Sequence, residues 1–286
     1  MIREVLRRGY RTLLPLLYSR SQYKAFLNVS LGEVDLRLQQ LASATGLFSS
    51  MLRAIPVRAP FGRSMLVIAP HQDDEIIGCG GALALQVASG CPAHVVVLQD
   101  GADGHEDLGM RREQLAHLRN NESRAAAAVL GIPEPRFLQH SDLAAKAAEA
   151  AGQLTEIIQE TGADAIFAPF PLDGQADHRA ANYILADALK GVSRKVRVFG
   201  YEVWGLCIPN VILVIDDVIE KKMKMLECFH FANQALDYTQ STRGLNMYRS
   251  RLLGAGECKY AECFFEAPRL DYIELVERIR ARERGA

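Results

Sequence analysis

Along this chain, short apolar runs rich in β-branched residues recur between longer stretches whose apolar positions return at helical spacing. The first short run, residues 65–69, carries no polar residue and reads as a strand buried on both faces, stopped by Pro70, which cannot donate to a sheet ladder. The runs 93–98, 136–139, 164–170, 196–202 and 211–215 read as further strands. Between and after them the spacing predicts helices over 82–88, 111–130, 145–160, 179–189 and 270–284. Gly131 and Gly162 close two of these. Gly78, Gly80 and Gly81 are expected to turn the backbone tightly from the first strand into the first helix. Strands that alternate with helices of this length predict an α/β fold, a mainly parallel sheet with helices on both faces.

The N-terminal stretch is patterned differently. Ile2, Val5, Leu6, Tyr10, Leu13 and Leu14 fall at helical spacing with arginines between them, a basic amphipathic helix. Residues 30–56 read as further helix, and Pro56, Pro60 and Gly62 mark a linker. The division expected is a helical extension at 1–60 and an α/β domain at 61–286. The basic helix either packs on this protein, or on a second copy of it, or lies on an anionic membrane surface; the pattern leaves these open. The apolar run 13–18 is short, contains Pro15 and is followed by no small-residue cleavage pattern, so the segment reads as retained. A net charge of −1 provides no basic field for nucleic acid. No apolar run approaches the roughly 18 residues of a spanning helix. Six cysteines without a CxxC pair read as reduced thiols, and hence as a cytoplasmic protein, peripheral at the inner membrane if the N-terminal helix lies on lipid.

The acids change the picture. Asp73, Asp74 and Glu75 follow a buried strand directly, where like charges repel and each costs desolvation. A bound cation relieves both, and His71 with Asp74 offers nitrogen and oxygen to a metal such as zinc. Other strand ends also run into polar residues: Asp100, Asp142, the stretch 173–178 and Glu202. Ligands of open α/β sheets bind outside the carboxyl ends of the strands, which makes Asp100 and Glu202 candidates for holding substrate. His178, at a helix start beyond the fourth strand, is the best third ligand. Two histidines and a carboxylate leave a zinc ion open to water, whose pKa falls to about 7. Asp73, beside a ligand but free, can take that proton and return it to a leaving amine, which suits amide hydrolysis. Iron, cobalt or manganese suit the same donors. Trp204, the only tryptophan, either stacks on a sugar face or packs in the core.

AxHxDDE after a short apolar strand, the glycines behind it and DH at a later helix start together resemble the PIG-L (LmbE-like) zinc deacetylases. DGADG after the second strand, Arg119 with Glu122, YEVW at 201–204 with Pro209-Asn210, and YAECF at 260–264 extend the resemblance. It implies a Rossmann-like fold and removal of acetyl groups from N-acetylated amino sugars, such as N-acetylglucosamine conjugates. His71, Asp74 and His178 then fall on the metal ligands, Asp73 on the general base and Arg119 on a substrate contact. Asp177 precedes the ligand histidine and is expected to orient it.

One departure matters. The family often reads HPDH where this chain has Gln175, Ala176, Asp177 and His178. Gln175 can donate a neutral hydrogen bond to an oxyanion but supplies no charge and no proton. His105, Tyr201 and Arg243 are candidates to fill in. Two other functions stay open: a zinc amidase on a thiol conjugate or an aminoglycoside-type natural product, and a metal-stabilised sugar-binding protein.

Overall fold

The computed structural model describes residues 54–103, 105–254, 256 and 258–285. The basic N-terminal helix, and all but the last residues of the helix expected at 30–56, lie outside them. Met65–Ala69 forms strand β2, and its alternation sets up both layers of the core. Met65, Val67 and Ala69 point into one apolar cluster, Leu66 and Ile68 into another. All five are fully buried. Each large aliphatic side chain among them contributes about 1.5–3 kcal/mol by leaving water.

Eight strands make one sheet in the order β1-β7-β8-β6-β5-β2-β3-β4. Besides β2 these are β1 (Ile55–Val57), β3 (Ala93–Gln99), β4 (Arg136–His140), β5 (Ala165–Pro169), β6 (Arg197–Tyr201), β7 (Val211–Val214) and β8 (Ala261–Pro268). Strand β8 runs antiparallel to both neighbours, and the other pairings are parallel. Helices α1 (Asp74–Ala88), α2 (Arg112–Leu130), α5 (Ile219–Leu226) and α6 (His230–Ala235) contribute to the first cluster. Helices α3 (Ala147–Thr161), α4 (Ala176–Lys190) and α8 (Arg269–Gly285) contribute to the second. Helix α7 (Tyr238–Ser250) packs on β8 and α5.

Three segments depart from the sequence reading. Ile55–Val57 is an edge strand paired with β7 rather than helix and linker, and an edge tolerates Pro56 because one side needs no ladder bond. Strand β8 and helices α5 to α7 are additional elements. Helix α1 starts at Asp74, not at residue 82, because Asp74 and Glu75 suit the positive end of a helix. The glycines lie inside that helix and serve close approach: a Cβ at Gly78 would overlap the Tyr201 ring.

The topology locates a crevice. From β2 the chain steps outward to β3 and β4, then returns to β5 on the opposite side of β2. The carboxyl ends of β2 and β5 therefore flank a switch point, the place where open α/β sheets bind ligands.

Candidate active site

Both strand ends at the crevice deliver side chains into one cavity of about 250 Å³. The loop after β2 supplies His71 and Asp73 and the first residue of α1 supplies Asp74, while the loop after β5 supplies Gln175 and the first turn of α4 supplies Asp177. Arg119 from α2, Trp204 from beyond β6 and Tyr238 at the start of α7 complete the wall.

Asp74 Oδ2 is the centre of the arrangement. It accepts the His71 backbone N–H at 2.9 Å, and lies 3.2 Å from His71 Nδ1 and 3.3 Å from His178 Nε2. One donor atom from each of His71, Asp74 and His178 lies within 4.8 Å of the others. His178 is fully buried, yet neither ring nitrogen makes a hydrogen bond. Such atoms in a protein interior ordinarily have partners. Two imidazoles and a carboxylate in this relation fit a divalent cation, and His178 Nε2, which stands 3.3 Å from Asp74 without a hydrogen bond, is the atom that would face it.

The electrostatics agree. Burial works against ionising Asp74, but His178 and His71 outweigh it and hold the carboxyl well below its usual range. Burial also works against charging His71, yet Asp177 and Asp74 push its pKa up to about 9. His178 rises to about 10 against the same opposition, through Asp74 and Asp173. Asp73 moves the other way: burial and the neighbouring Asp74 charge raise it, and Arg119, 3.6 Å away, restrains the rise. Glu75 is raised to about 8 by burial and accepts the Asp73 backbone N–H at 3.0 Å. Asp73 holds a φ of 107°, a strained value for a residue with a side chain.

Several expected residues sit elsewhere or act differently. Asp177 does not touch His178. Its Oδ2 lies 3.3 Å from His71 Nε2, while Asp173 Oδ1 stands 3.4 Å from His178 Nδ1. Asp173, which the sequence reading did not single out, also accepts the backbone N–H groups of Gln175, Trp204 and Gly205. It thereby ties the cavity's aromatic lip to the buried histidine. Asp100 does not line this cavity; it pairs with Arg112 at 2.7 and 2.9 Å and accepts the Ala102 N–H. Glu202 is buried against Arg249 and closes its own loop by accepting the Cys207 N–H at 2.7 Å. Arg119 donates to the carbonyls of Gln72 and Gly101, which braces two loops of the wall.

Trp204 is 58% exposed, so it is a rim residue and not core. Its ring meets Tyr238 edge-on, with centroids 6.2 Å apart. Tyr238, unforeseen in the sequence, presents a hydroxyl without a hydrogen bond to any described residue. Gln175 lines the cavity with its Oε1 buried and unbonded. Of the candidates to assist it, Tyr201 donates to the Ile68 carbonyl and Arg243 forms a two-pronged pair with Glu220. These two and His105 are all absent from the cavity wall.

Known proteins share this framework. A family described as PIG-L, GlcNAc-PI de-N-acetylase, matches residues 66–189. Diacetylchitobiose deacetylase of Thermococcus kodakarensis is 26% identical over 198 residues, covering 62% of this chain and 74% of that protein. A probable N-acetyl-alpha-D-glucosaminyl L-malate deacetylase of Bacillus cereus is 26% identical over 188 residues, covering 61% and 86%. Among solved structures, N,N'-diacetylchitobiose deacetylase from Pyrococcus horikoshii superposes with a TM-score of 0.65 at 22% identity, covering 84% of this chain and 96% of that one. The hydratase GalB from Pseudomonas putida superposes at 0.60 with 22% identity over 72% and 96%, so the fold by itself does not name a reaction. The stretch that matches the PIG-L family, residues 66–189, includes His71, Asp74 and His178.

Proposed function

We propose that the protein is a metal-dependent hydrolase that removes the acetyl group from an N-acetylated amino sugar. The observation that carries the reading is the convergence of one donor atom each from His71, Asp74 and the buried His178, all within 4.8 Å of one another, in the switch-point crevice. His71, Asp74 and His178 hold the cation, zinc on the chemistry of the donors, with iron, cobalt or manganese as substitutes. When bound, the ion supplies Lewis acidity for an acyl oxygen and lowers the pKa of water.

The remaining residues divide the work. Asp73, poised by burial between charged and neutral forms, takes a proton from the attacking water and delivers it to the amine that leaves. Gln175 and the free hydroxyl of Tyr238 offer neutral hydrogen bonds to the developing oxyanion, in place of a histidine. Asp173 and Asp177 hold the two imidazoles from behind. Trp204 and Tyr238 form an aromatic corner against which a sugar face can lie. A cavity of this volume is at the small end of ligand clefts and suits one acetamido sugar unit with the rest of the molecule outside. The relatives act on diacetylchitobiose and, as a probable assignment, on a glucosaminyl malate, both N-acetylated sugars, which supports this class.

The test is metal analysis of the purified chain, then acetate release after zinc reconstitution. A panel of N-acetylhexosamine donors should release acetate, and amides without a sugar should not. Faster release of longer acyl groups, or of acyl groups from sugar-free thiol conjugates, would move the assignment to the amidase reading. Saturable donor binding without any acetate would leave only a sugar-binding protein.

A further inference from the structure

Helix α1 is two helices spliced at Cys79, whose φ of −144° and ψ of 25° are not helical. A splice of this kind strands carbonyls at the end of the first piece and N–H groups at the start of the second. Here a buried ion pair takes both. Lys222 Nζ donates to the Ile77 carbonyl at 2.9 Å. Glu262 accepts the N–H of Gly81 at 2.7 Å and of Ala82 at 2.8 Å. Lys222 and Glu262 are 2.7 Å apart, with side chains 0% and 1% exposed. The remaining proton of Lys222 goes to Asn246 Oδ1 at 3.0 Å, and Asn246 donates to the Ala261 carbonyl. Each charge sits at the helix end whose dipole favours it.

The glycines make room for the pair. A Cβ at Gly80 would lie 2.9 Å from Ile76 Cγ2 and 3.0 Å from Lys222 Cγ, and one at Gly81 would lie 2.6 Å from Ile215 Cγ2 and 3.0 Å from Glu262 Oε1, so the glycines admit the pair together with its apolar neighbours. Burying two charges is costly, and apolar residues of similar volume often serve stability as well or better. The pair therefore calls for a role in geometry. The first piece of α1 starts at Asp74, so whatever sets its direction also sets Asp74 Oδ2 against His71 and His178.

We propose that Lys222 and Glu262 are positioning residues for the metal loop, holding the first piece of α1 at the angle that completes the His71–Asp74–His178 set. This rests on the metal-hydrolase reading above. The test measures zinc(II) affinity of the full chain by competition with a chromophoric chelator, and the absorption spectrum of the cobalt(II) form. Glu262→Gln keeps the shape but removes the charge. The double variant Lys222→Met/Glu262→Gln removes both charges at similar volume and leaves neither buried charge unpaired, so it carries the test if Glu262→Gln does not fold. Zinc affinity should fall about tenfold or more in either variant, with an altered cobalt spectrum. A merely structural role would lower the thermal midpoint and leave both readouts of the folded protein as in the wild type, which overturns the proposal. A wild-type chain that binds no zinc overturns the underlying reading as well; wild type and variants binding zinc equally overturn this proposal alone.

Discussion

Two cavities open near the carboxyl end of the sheet, and they differ in a way that volume does not reveal. The second, about 370 Å³, is the larger, and Asp100, Arg112, His117, Asn120 and Arg124 are among its walls. Its charged groups are largely paired with one another or with neighbours. Arg112 is held by Asp100 and Asp103, and Arg124 by Glu134 and Asn121 while it lies 5.0 Å over the Phe137 ring. The smaller cavity is not so settled: Gln175 Oε1 in its wall has no hydrogen bond, and behind Asp74 the two nitrogens of His178 meet carboxylates at 3.3 and 3.4 Å without forming a hydrogen bond. Unsatisfied polar atoms, not space, mark where a ligand belongs.

The contrast breaks most directly at its centre. His178→Ala should abolish both stoichiometric metal binding and acetate release. Asp73→Asn should retain the metal while turnover falls about 10²- to 10⁴-fold, the usual worth of a general base. Equal metal loss in the two variants would show that Asp73 is a ligand instead. At the rim, Trp204→Ala should raise KM for an acetylated sugar about fivefold with kcat nearly unchanged, the stacking being worth roughly 1 kcal/mol. A kcat effect of the same size would place Trp204 in the reaction rather than in binding.

The histidines add a pH test. In the metal-free protein His71 and His178 have pKa values near 9 and 10, against 6.5 for a free imidazole. Their stabilising contribution is complete below pH 6.5 and is lost as pH rises through 9 to 10. A metal displaces those protons, so its own stabilisation grows with pH. Zinc should therefore raise the thermal midpoint more at pH 9 than at pH 6, by about 5 °C or more. An increment independent of pH would mean that the imidazoles are not the ligands. The smallest effect belongs to the second cavity: Arg112→Ala should change acetate release less than about threefold while costing on the order of 1 kcal/mol of stability. A severe loss of turnover there would erase the distinction between the cavities.

What the residues disclosed in advance follows physical lines. Strand β2 and its polar end were legible because an all-apolar run broken by Pro70 and followed by His71 and three acids has few other uses. Partnerships across the chain were not legible. Asp100 and Glu202 looked available until Arg112 and Arg249 occupied them. Asp177 seemed the natural support for His178, but adjacent residues on a helix diverge by about 100°, so Asp177 faces His71 and Asp173 serves His178. Strand β8 carries Glu262 in its buried interior, a pattern that makes sense only once Lys222 from α5 is beside it. The glycines announced an unusual backbone but not the side chains they admit.

The wall of the active cavity is divided along the chain. Its ionisable half, from His71 to Asp177, lies within residues 66–189, whereas Val203, Trp204 and Tyr238 at its mouth come afterwards. On the proposed reading, the groups that do the chemistry and those that meet the sugar come from separate stretches of the chain. Exchanging Trp204 and Tyr238 alone, with Lys222 and Glu262 kept, would therefore change the mouth of the cavity without disturbing the helix that carries Asp74.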